Sequence, residues 1–101
     1  MDINNISEAL SLPMRLKLIS CLVSGKKTFV ELRNMVEGSD GNVSVQLTKL
    51  ENWGYIKSKK TIEKKKMKSV YELTDHGLKQ LTGYVELLES IIGSINEQEN
   101  T

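Results

Sequence analysis

The fold is decided by the stretch SDGNVSVQLTKLENWG, which runs from Ser39 to Gly54. Val43, Leu47 and Leu50 recur in it at steps of four and three, so they share one face of a helix and are expected to lie on a core. The serine that opens the stretch is a suitable N-cap, and the glycine that closes it is typical of a left-handed C-terminal cap. The stretch therefore predicts an amphipathic helix followed by a turn.

The outer face of this helix is unusual for a soluble protein. Such faces are normally rich in charged residues, whereas this one offers amides, small hydroxyls, one lysine and one valine. Asn and Gln can pair with adenine, Ser and Thr with several acceptors, and a small apolar side chain with a thymine methyl. An ordinary amphipathic helix with a weakly charged outer face is the alternative. The outer face consists of Asn42, Ser44, Val45, Gln46, Thr48 and Lys49.

Two further helices are predicted before this one. The first covers about residues 13–24, and Thr28 and Glu31 have the spacing of a capping box that begins a second, short helix. The second helix should end near Gly38, immediately before the decisive stretch. Two short helices joined by a tight turn that contains glycine form a helix-turn-helix, with the second helix as the reader. The expected core residues of the shorter helix are Leu32, Met35 and Val36.

After the reader helix the periodicity changes to that of a β-hairpin. Segments 55–62 and 67–73 contain β-formers, and the second alternates with a period of two. Seven of the fourteen basic residues fall between positions 57 and 68, where Glu63 is the only acid. Such a local concentration of charge is the electrostatic footprint of nucleic-acid binding, although a solvated loop tip is the alternative. The seven residues are Lys57, Lys59, Lys60, Lys64, Lys65, Lys66 and Lys68.

The helical period returns at Thr74 and continues to about Asn96. The apolar residues of this last helix are spaced as a heptad seam, which Tyr84, Leu87 and Ile91 widen. A stripe this wide exceeds what a small core can cover, so its distal part should be exposed in a monomer and should mark a homodimer interface. Packing of the helix back onto its own domain is the alternative. The expected interface residues are Leu78, Leu81, Val85, Leu88, Ile91, Ile92 and Ile95.

Composition places limits on the function. With 101 residues and a net charge of +1, the chain has the size of one domain and no overall charge that points to nucleic acid. Cys21 is the only cysteine, so no intrachain disulfide can form and a reducing cytoplasm is expected. No basic region leads into an apolar run, and no stretch approaches 18 apolar residues. Neither a signal peptide nor a membrane segment is therefore predicted.

The sequence does not support an enzyme. His76 is the only histidine, and it has no cysteine or second histidine nearby to complete a metal site. No glycine-rich phosphate loop is present, and no group of serine, histidine and acid suggests a nucleophile. We therefore predict a protein without catalytic residues, cofactors or a bound metal.

Three segments carry a family resemblance. PMRLKLISCL at 13–22, SDGNVSVQLTKLENWGYI at 39–56 and VYELTDHGLKQL at 70–81 resemble segments of the small winged helix-turn-helix transcriptional regulators of the MarR and ArsR type. Each segment alone is a weak signal, but the three occur in the right order with the right spacings. The resemblance is strongest to the compact subgroup in which a winged domain is followed by a single C-terminal dimerisation helix.

The resemblance implies a mainly α fold with a small β-hairpin. A winged helix-turn-helix domain would occupy residues 1–74, with the reader helix at about 39–53 and the wing at about 55–73. A dimerisation helix with a short tail would occupy residues 75–101. Wings of this type often have Gly or Pro near the tip, whereas this one has the sequence EKKK at 63–66, so its turn geometry stays open.

The function implied by the resemblance is a sequence-specific, double-stranded DNA-binding transcriptional regulator. It would act in the cytoplasm as a homodimer on an inverted repeat, without contact to a membrane and with an effector that the sequence does not identify. A winged-helix module that docks a protein partner is the alternative. The expected base contacts are Asn42, Ser44, Val45, Gln46 and Lys49. The expected backbone contacts are Ser39, Lys57, Lys59, Lys60, Lys64, Lys65, Lys66 and Lys68, with Arg15, Lys26, Lys27 and Arg33 as further candidates.

Overall fold

The computed structural model describes residues 8–99, and side chains for residues 8–96. A 3-10 turn at Glu8–Leu10 leads into four helices and three strands. Residues 1–7 of the predicted winged domain and residues 100–101 of the predicted C-terminal tail lie outside the described residues. The elements are α1 Pro13–Leu22, β1 Lys27–Thr28, α2 Phe29–Val36, α3 Asp40–Asn52, β2 Ile56–Glu63, β3 Lys66–Leu73 and α4 Asp75–Glu99. The predicted fold class is confirmed.

The predicted capping box starts α2. The Thr28 hydroxyl oxygen accepts from the Glu31 backbone N–H at 3.2 Å, and the Glu31 carboxylate accepts from the Thr28 backbone N–H at 3.0 Å. The bond that the ionised carboxylate accepts from the Thr28 backbone N–H is the main reason that the pKa of Glu31 is lowered, and the Thr28 side chain adds to it. The helix ends at Glu37, whose left-handed φ of 54° turns the chain so that the following Gly38 N–H bonds back to the Arg33 carbonyl at 3.1 Å.

The three strands form one antiparallel sheet in the order β1-β3-β2. Strands β2 and β3 pair along their whole length, from Ile56 opposite Leu73 to Glu63 opposite Lys66. The short strand β1 pairs with β3 through only two residues, which is too short a segment for a periodicity to reveal. Because side chains alternate along a strand, Ile56, Tyr71 and Leu73 face the helices. The alternate residues face solvent.

The core lies between the first three helices and this inner face of the sheet. One predicted core residue, Met35, is instead exposed, because it lies about 100° round α2 from Val36. Leu32 and Val36 are buried in the core. The predicted core face of α3 is confirmed. The buried apolar residues are Ala9, Leu10, Leu18, Ile19, Leu22, Leu32, Val36, Val43, Leu47, Leu50, Tyr55 and Ile56.

Helix α4 is fixed to the domain at its start. The Thr74 hydroxyl donates to the Gly54 carbonyl at 2.7 Å and accepts from the Gly77 N–H at 3.0 Å, so it is the helix N-cap as predicted. Gly77 packs so closely on the Tyr55 carbonyl that a Cβ would clash with it. This contact holds the start of α4 against the turn that follows α3.

Beyond its first turns α4 leaves the domain. Leu81 and Tyr84 pack against the core, but from Val85 to Ile95 the apolar stripe contains residues that are 39–57% exposed. A helix of 25 residues is about 37 Å long, which accounts for the elongated 64 × 24 × 22 Å shape of the molecule. The prediction that the distal stripe is exposed in a single chain is confirmed, and packing of the helix back onto its domain is not observed in the described residues. Within these same residues, no helix is both long and apolar enough to cross a membrane.

Candidate nucleic-acid interface

The exposed face of α3 is centred on four residues at helical spacing: Gly41, Val45, Thr48 and Asn52. Val45 is 51% exposed, and a Cβ built on Gly41 would meet open space. Sequence reasoning included only Val45 among the expected base contacts. The other three lie opposite the buried face of the helix and could have been found from that angle. A search by residue type favours amides over Gly41 and Thr48, but it would have found Asn52.

The N-terminus of α3 is capped as predicted. The Ser39 hydroxyl oxygen accepts from the Asn42 backbone N–H at 3.2 Å, and Asp40 follows in the first turn. Among the described residues, the hydroxyl of Ser39 acts only as an acceptor, so its hydrogen has no partner there. Asp40 is bonded to Arg33 at 2.8 Å, so this predicted cation already has a partner.

The structure corrects the predicted position of Gln46. It was expected on the outer face, but it is only 7% exposed. Gln46 lies four residues before Leu50, about 40° round the helix, so it borders the core rather than opposing it. It therefore cannot reach a groove with a freely rotating amide.

Arg15 of α1 is the partner of Gln46. Its Nε donates to Gln46 Oε1 at 2.8 Å, its Nη1 donates to the Glu8 carbonyl at 2.9 Å, and its guanidinium lies 4.9 Å from the centre of the Trp53 ring. Only 8% of Arg15 is exposed, and it forms no ion pair with any described carboxylate. The prediction of Arg15 as a flanking phosphate contact is therefore replaced by a buried role.

The remaining predicted reader residues are exposed. The Asn42 Oδ1 accepts from Gln46 Nε2 at 3.2 Å, and the Thr48 hydroxyl donates to the Ser44 carbonyl at 2.9 Å. Ser44, Val45 and Lys49 have no side-chain bond among the described residues. The face thus combines two side chains with fixed partners and three that are free.

The wing is the hairpin of β2 and β3, and its tip is a tight turn. Lys64 and Lys65 connect the strands with φ of 52° and 63°, as the two central residues of a type I′ turn require. Asn and Gly are the usual residues there, because a left-handed backbone costs other residues about 1–2 kcal/mol each. The sequence left the geometry of this turn open. The structure shows a type I′ turn in which the backbone of two lysines is strained, whereas Asn-Gly would fit without strain.

The seven wing lysines are all exposed but do not share one surface. Lys57 lies 3.9 Å from Glu72, and Lys68 lies 3.4 Å from Glu63, whereas the other five have no ion pair within the described chain. Strand alternation places Lys60 on the opposite side of the hairpin from Lys57, Lys59, Lys66 and Lys68. Lys60 shares its side with Ile62 and Met67, a cross-strand pair that is 75% and 64% exposed.

The two other flanking cations have local partners. Lys26 lies 3.9 Å from Glu72, and Lys27 Nζ donates to the Ser24 hydroxyl at 3.2 Å. A cavity of about 270 Å³ on the outer face of the sheet is lined by Lys26, Lys57, Ser58, Lys59, Val70 and Glu72. Because Glu72 already faces two of these lysines, the base of the wing is less positive than its tip.

The predicted dimer residues divide into two groups. Leu81 packs against the core and Ile91 is half-buried. The other five are exposed in the single chain and form one stripe along α4, since they recur at steps of seven, three, four and three. These five are Leu78, Val85, Leu88, Ile92 and Ile95.

Comparison with known proteins identifies the family. A family model described as "Winged helix DNA-binding domain" matches residues 14–92. The chain belongs to this winged helix family. The resemblance stated from three sequence segments is thereby confirmed, and so is the expected fold.

Solved structures share the whole winged helix arrangement. A transcriptional regulator homologue from Pyrococcus horikoshii OT3 is 26% identical, with 88% of this chain and 89% of that one covered and a TM-score of 0.81. The transcriptional repressor BigR from Xylella fastidiosa is 28% identical over 88% and 84%, with a TM-score of 0.69. A MarR-family transcriptional regulator from Enterococcus faecalis V583, at 19% identity, shares the fold over 98% and 90%, with a TM-score of 0.81. Among curated proteins, no sequence match is found.

Proposed function

We propose that this winged helix protein is a transcriptional regulator that binds specific double-stranded DNA in the cytoplasm, as a homodimer on an inverted repeat. The observation that carries the proposal is the position of α3. Its exposed face bears short polar and small apolar groups, and the adjacent hairpin carries seven exposed lysines. The family match and the similarity to transcriptional regulators support it.

The two surfaces would divide the work of binding. Lysines at the wing tip would contact phosphates and release condensed counterions, which supplies affinity for any sequence. Asn42, Ser44, Val45 and Lys49, together with Thr48, would enter the major groove and select bases. Gln46 is not proposed as a direct reader, because it is buried against Arg15.

Residues 75–101 would form the dimer interface, and residues 1–74 would bind the DNA. The exposed stripe of α4 would pack on the same stripe of a second copy, since a twofold contact requires a self-complementary surface. A twofold dimer would read half-sites about one helical turn apart.

The dimer is tested by Ile92→Glu, which places a charge in the middle of the exposed stripe. Sedimentation equilibrium should show a dimer for the unaltered chain and a monomer for this variant, because a buried unpaired carboxylate costs several kcal/mol. Ser90→Glu, on the polar side of the same helix, is the matched control and should stay dimeric. An unaltered chain that sediments as a monomer contradicts the interface.

DNA recognition is tested by selecting bound duplexes from a random pool. We expect an enriched inverted repeat whose half-sites are read by one copy each. Selection should be repeated with Val45→Ala, which is expected to relax preference at a single position of each half-site. Recovery of no shared sequence would contradict specific recognition.

A protein-docking module is the second candidate, because Ile62 and Met67 form an exposed apolar pair on the wing. Retention of random duplex DNA at low and moderate salt separates the two candidates. A regulator should retain duplexes strongly at low salt and weakly at moderate salt, whereas a docking module should retain little at either.

A further inference from the structure

We propose that Arg15 and Gln46 are positioning residues that fix the side chain of Asn42 with its NH₂ group outward. Asn42 would then recognise a hydrogen-bond acceptor on DNA, and not the paired donor and acceptor of adenine. The inference rests on the proposed function. It is carried by the side chains of Arg15, Gln46 and Asn42, here called the amide network.

The direction of the amide network is set by its first member. A guanidinium has N–H donors and no acceptor, so the atom of Gln46 that meets Arg15 Nε at 2.8 Å must be the carbonyl oxygen. Both residues are at least nine-tenths buried, and Arg15 is also held by the Glu8 carbonyl and the Trp53 ring. Gln46 therefore has one available orientation of its amide.

The second bond passes this orientation to Asn42. With its oxygen bound to Arg15, Gln46 presents Nε2, which donates to Asn42 Oδ1 at 3.2 Å. The two residues are four apart on α3, so their side chains lie on neighbouring turns of one face. This bond turns Asn42 Oδ1 toward Gln46, away from the direction that paired contact with adenine requires, and leaves both hydrogens of Nδ2 for a partner outside.

This polarity restricts what Asn42 can read. Pairing with adenine uses both halves of an amide, because the oxygen accepts from N6 and the nitrogen donates to N7. An amide with only its NH₂ group exposed fits an acceptor: a purine N7, guanine O6, thymine O4 or a phosphate oxygen. The sequence suggested that Asn42 and Gln46 could both pair with adenine. The amide network instead leaves a single outward donor, the NH₂ group of Asn42.

The network also explains why a buried cation is tolerated without a carboxylate. Burial of an unpaired charge is costly unless its hydrogens are bonded, and here two neutral oxygens and an aromatic face surround it. A carboxylate at position 46 would pair with Arg15 more strongly. It could not donate to Asn42, however, so Gln46 is the residue type that both bonds require.

The test is Gln46→Glu, which should keep the bond to Arg15 and reverse Asn42. A glutamate accepts on both sides, so Asn42 would turn its NH₂ group inward and its oxygen outward. Selection from a random duplex pool should then show that preference at one half-site position moves from acceptor groups to donors, adenine N6 or cytosine N4. Affinity for the original site should fall roughly tenfold.

A double variant provides the control for charge and stability. In an Asn42→Ala background, Gln46→Glu should leave base preference unchanged, because the side chain that carries the reversal is absent. Thermal unfolding of each variant checks that the fold is retained. A purely structural role would shift the unfolding temperature of Gln46→Glu while changing neither base preference nor the sensitivity of binding to a methylphosphonate linkage.

Two sources of the acceptor are separated by modified duplexes. If the acceptor is on a base, the shift in base preference identifies its position in the half-site. Where the acceptor is a purine N7, 7-deazapurine at that position should weaken binding of the unaltered chain. If it is a phosphate, base preference stays constant, and a methylphosphonate at one linkage weakens the unaltered chain but not Asn42→Ala. Gln46→Glu should change either the base preference or the loss of DNA affinity that Asn42→Ala causes. The inference is overturned if both are the same with Gln46 and with Glu at position 46.

A measurement without DNA separates this inference from the proposed function. Side-chain amide exchange by NMR should show a rapidly exchanging Asn42 NH₂ group in the unaltered chain and a protected one in Gln46→Glu. Equal exchange in both proteins overturns the orientation. If no duplex is enriched but the exchange rates differ as expected, the proposed function fails while the orientation of Asn42 stands.

Discussion

The reader helix and the wing are built in opposite ways. Part of the exposed face of α3 is held by bonds within the chain, since Ser39 caps the helix, Thr48 donates to the Ser44 carbonyl and Asn42 belongs to the amide network. On the wing, five of seven lysines have no ion pair within the described chain, and two occupy strained positions in the turn. Groups with a fixed direction can discriminate between base edges, whereas mobile lysines that contact phosphate add affinity without selecting a sequence.

The largest expected effect is on the wing. Replacement of Lys64, Lys65 and Lys66 by Gln should weaken binding to every duplex by roughly ten- to a hundredfold at moderate salt, because fewer phosphates are neutralised and fewer counterions are released. The slope of log affinity against log salt should become shallower by about 0.9 for each phosphate that the wing no longer neutralises. Fluorescence anisotropy over a range of salt measures both.

The control for this change removes charge elsewhere. Lys17→Gln and Lys79→Gln, on exposed surfaces of α1 and α4, should leave the slope unchanged. If they flatten it as much as the wing variant, net charge rather than the wing supplies the affinity.

The next effect concerns the buried support of α3. Gln46→Ala should lower the free energy of unfolding by about 1–3 kcal/mol, because Arg15 loses an acceptor inside the protein. Val45→Ala, on the exposed face of the same helix, should change it by less than about 0.5 kcal/mol. Urea unfolding measures both free energies of unfolding. An equal loss in the two variants would mean that Gln46 does not support the fold more than the exposed Val45 does.

These differences mark how far the sequence alone could predict the molecule. The core face of α3, the capping box of α2 and the exposed stripe of α4 follow from spacing along the chain, which is local information. The burial of Gln46 depends on Arg15, 31 residues earlier, and no local period encodes such a contact. The two-residue strand β1 and the exposure of Met35 likewise depend on how elements pack.

The candidate site was therefore predicted only in part, since residue types such as Gln46 were recognised but their position on the helix was not. A search for amides and lysines found Asn42 and the wing, whereas Gly41 has no side chain to signal a contact and is found only from its angle on the helix. The same angle places the amide of Asn52 on this face. The wing tip was open because lysine has no preference for a left-handed backbone. Register, rather than propensity, imposes the turn there.

A smaller effect tests the strain in the wing tip. Lys64→Asn with Lys65→Gly should raise the free energy of unfolding by roughly 1 kcal/mol, since both residues adopt positive φ readily. Lys64→Gln with Lys65→Gln removes the same charge but keeps the strain, so it should lower DNA affinity equally without this gain in stability. Thermal and urea unfolding distinguish the pairs, and identical stabilities would show that the turn is unstrained.

The smallest effect is expected at Gly41. Alanine there meets open space and should stabilise α3 by about 0.5–1 kcal/mol, because glycine is a poor helix former. If α3 enters a groove at this position, the same methyl group should reduce DNA affinity. Gly83→Ala, on the exposed polar side of α4, is the matched control and should stabilise without affecting DNA. Equal DNA affinity of both variants would place Gly41 outside the contact.

The central claim is that one surface selects bases and the other attracts phosphate. It is tested most directly by measuring, over a range of salt, the affinity of the unaltered chain for the selected duplex and for a scrambled duplex of equal length. We expect the selected duplex to bind at least about a thousandfold more tightly, with a steep salt dependence for both. Equal affinity for the two duplexes, or no binding to either in low salt, would contradict the account.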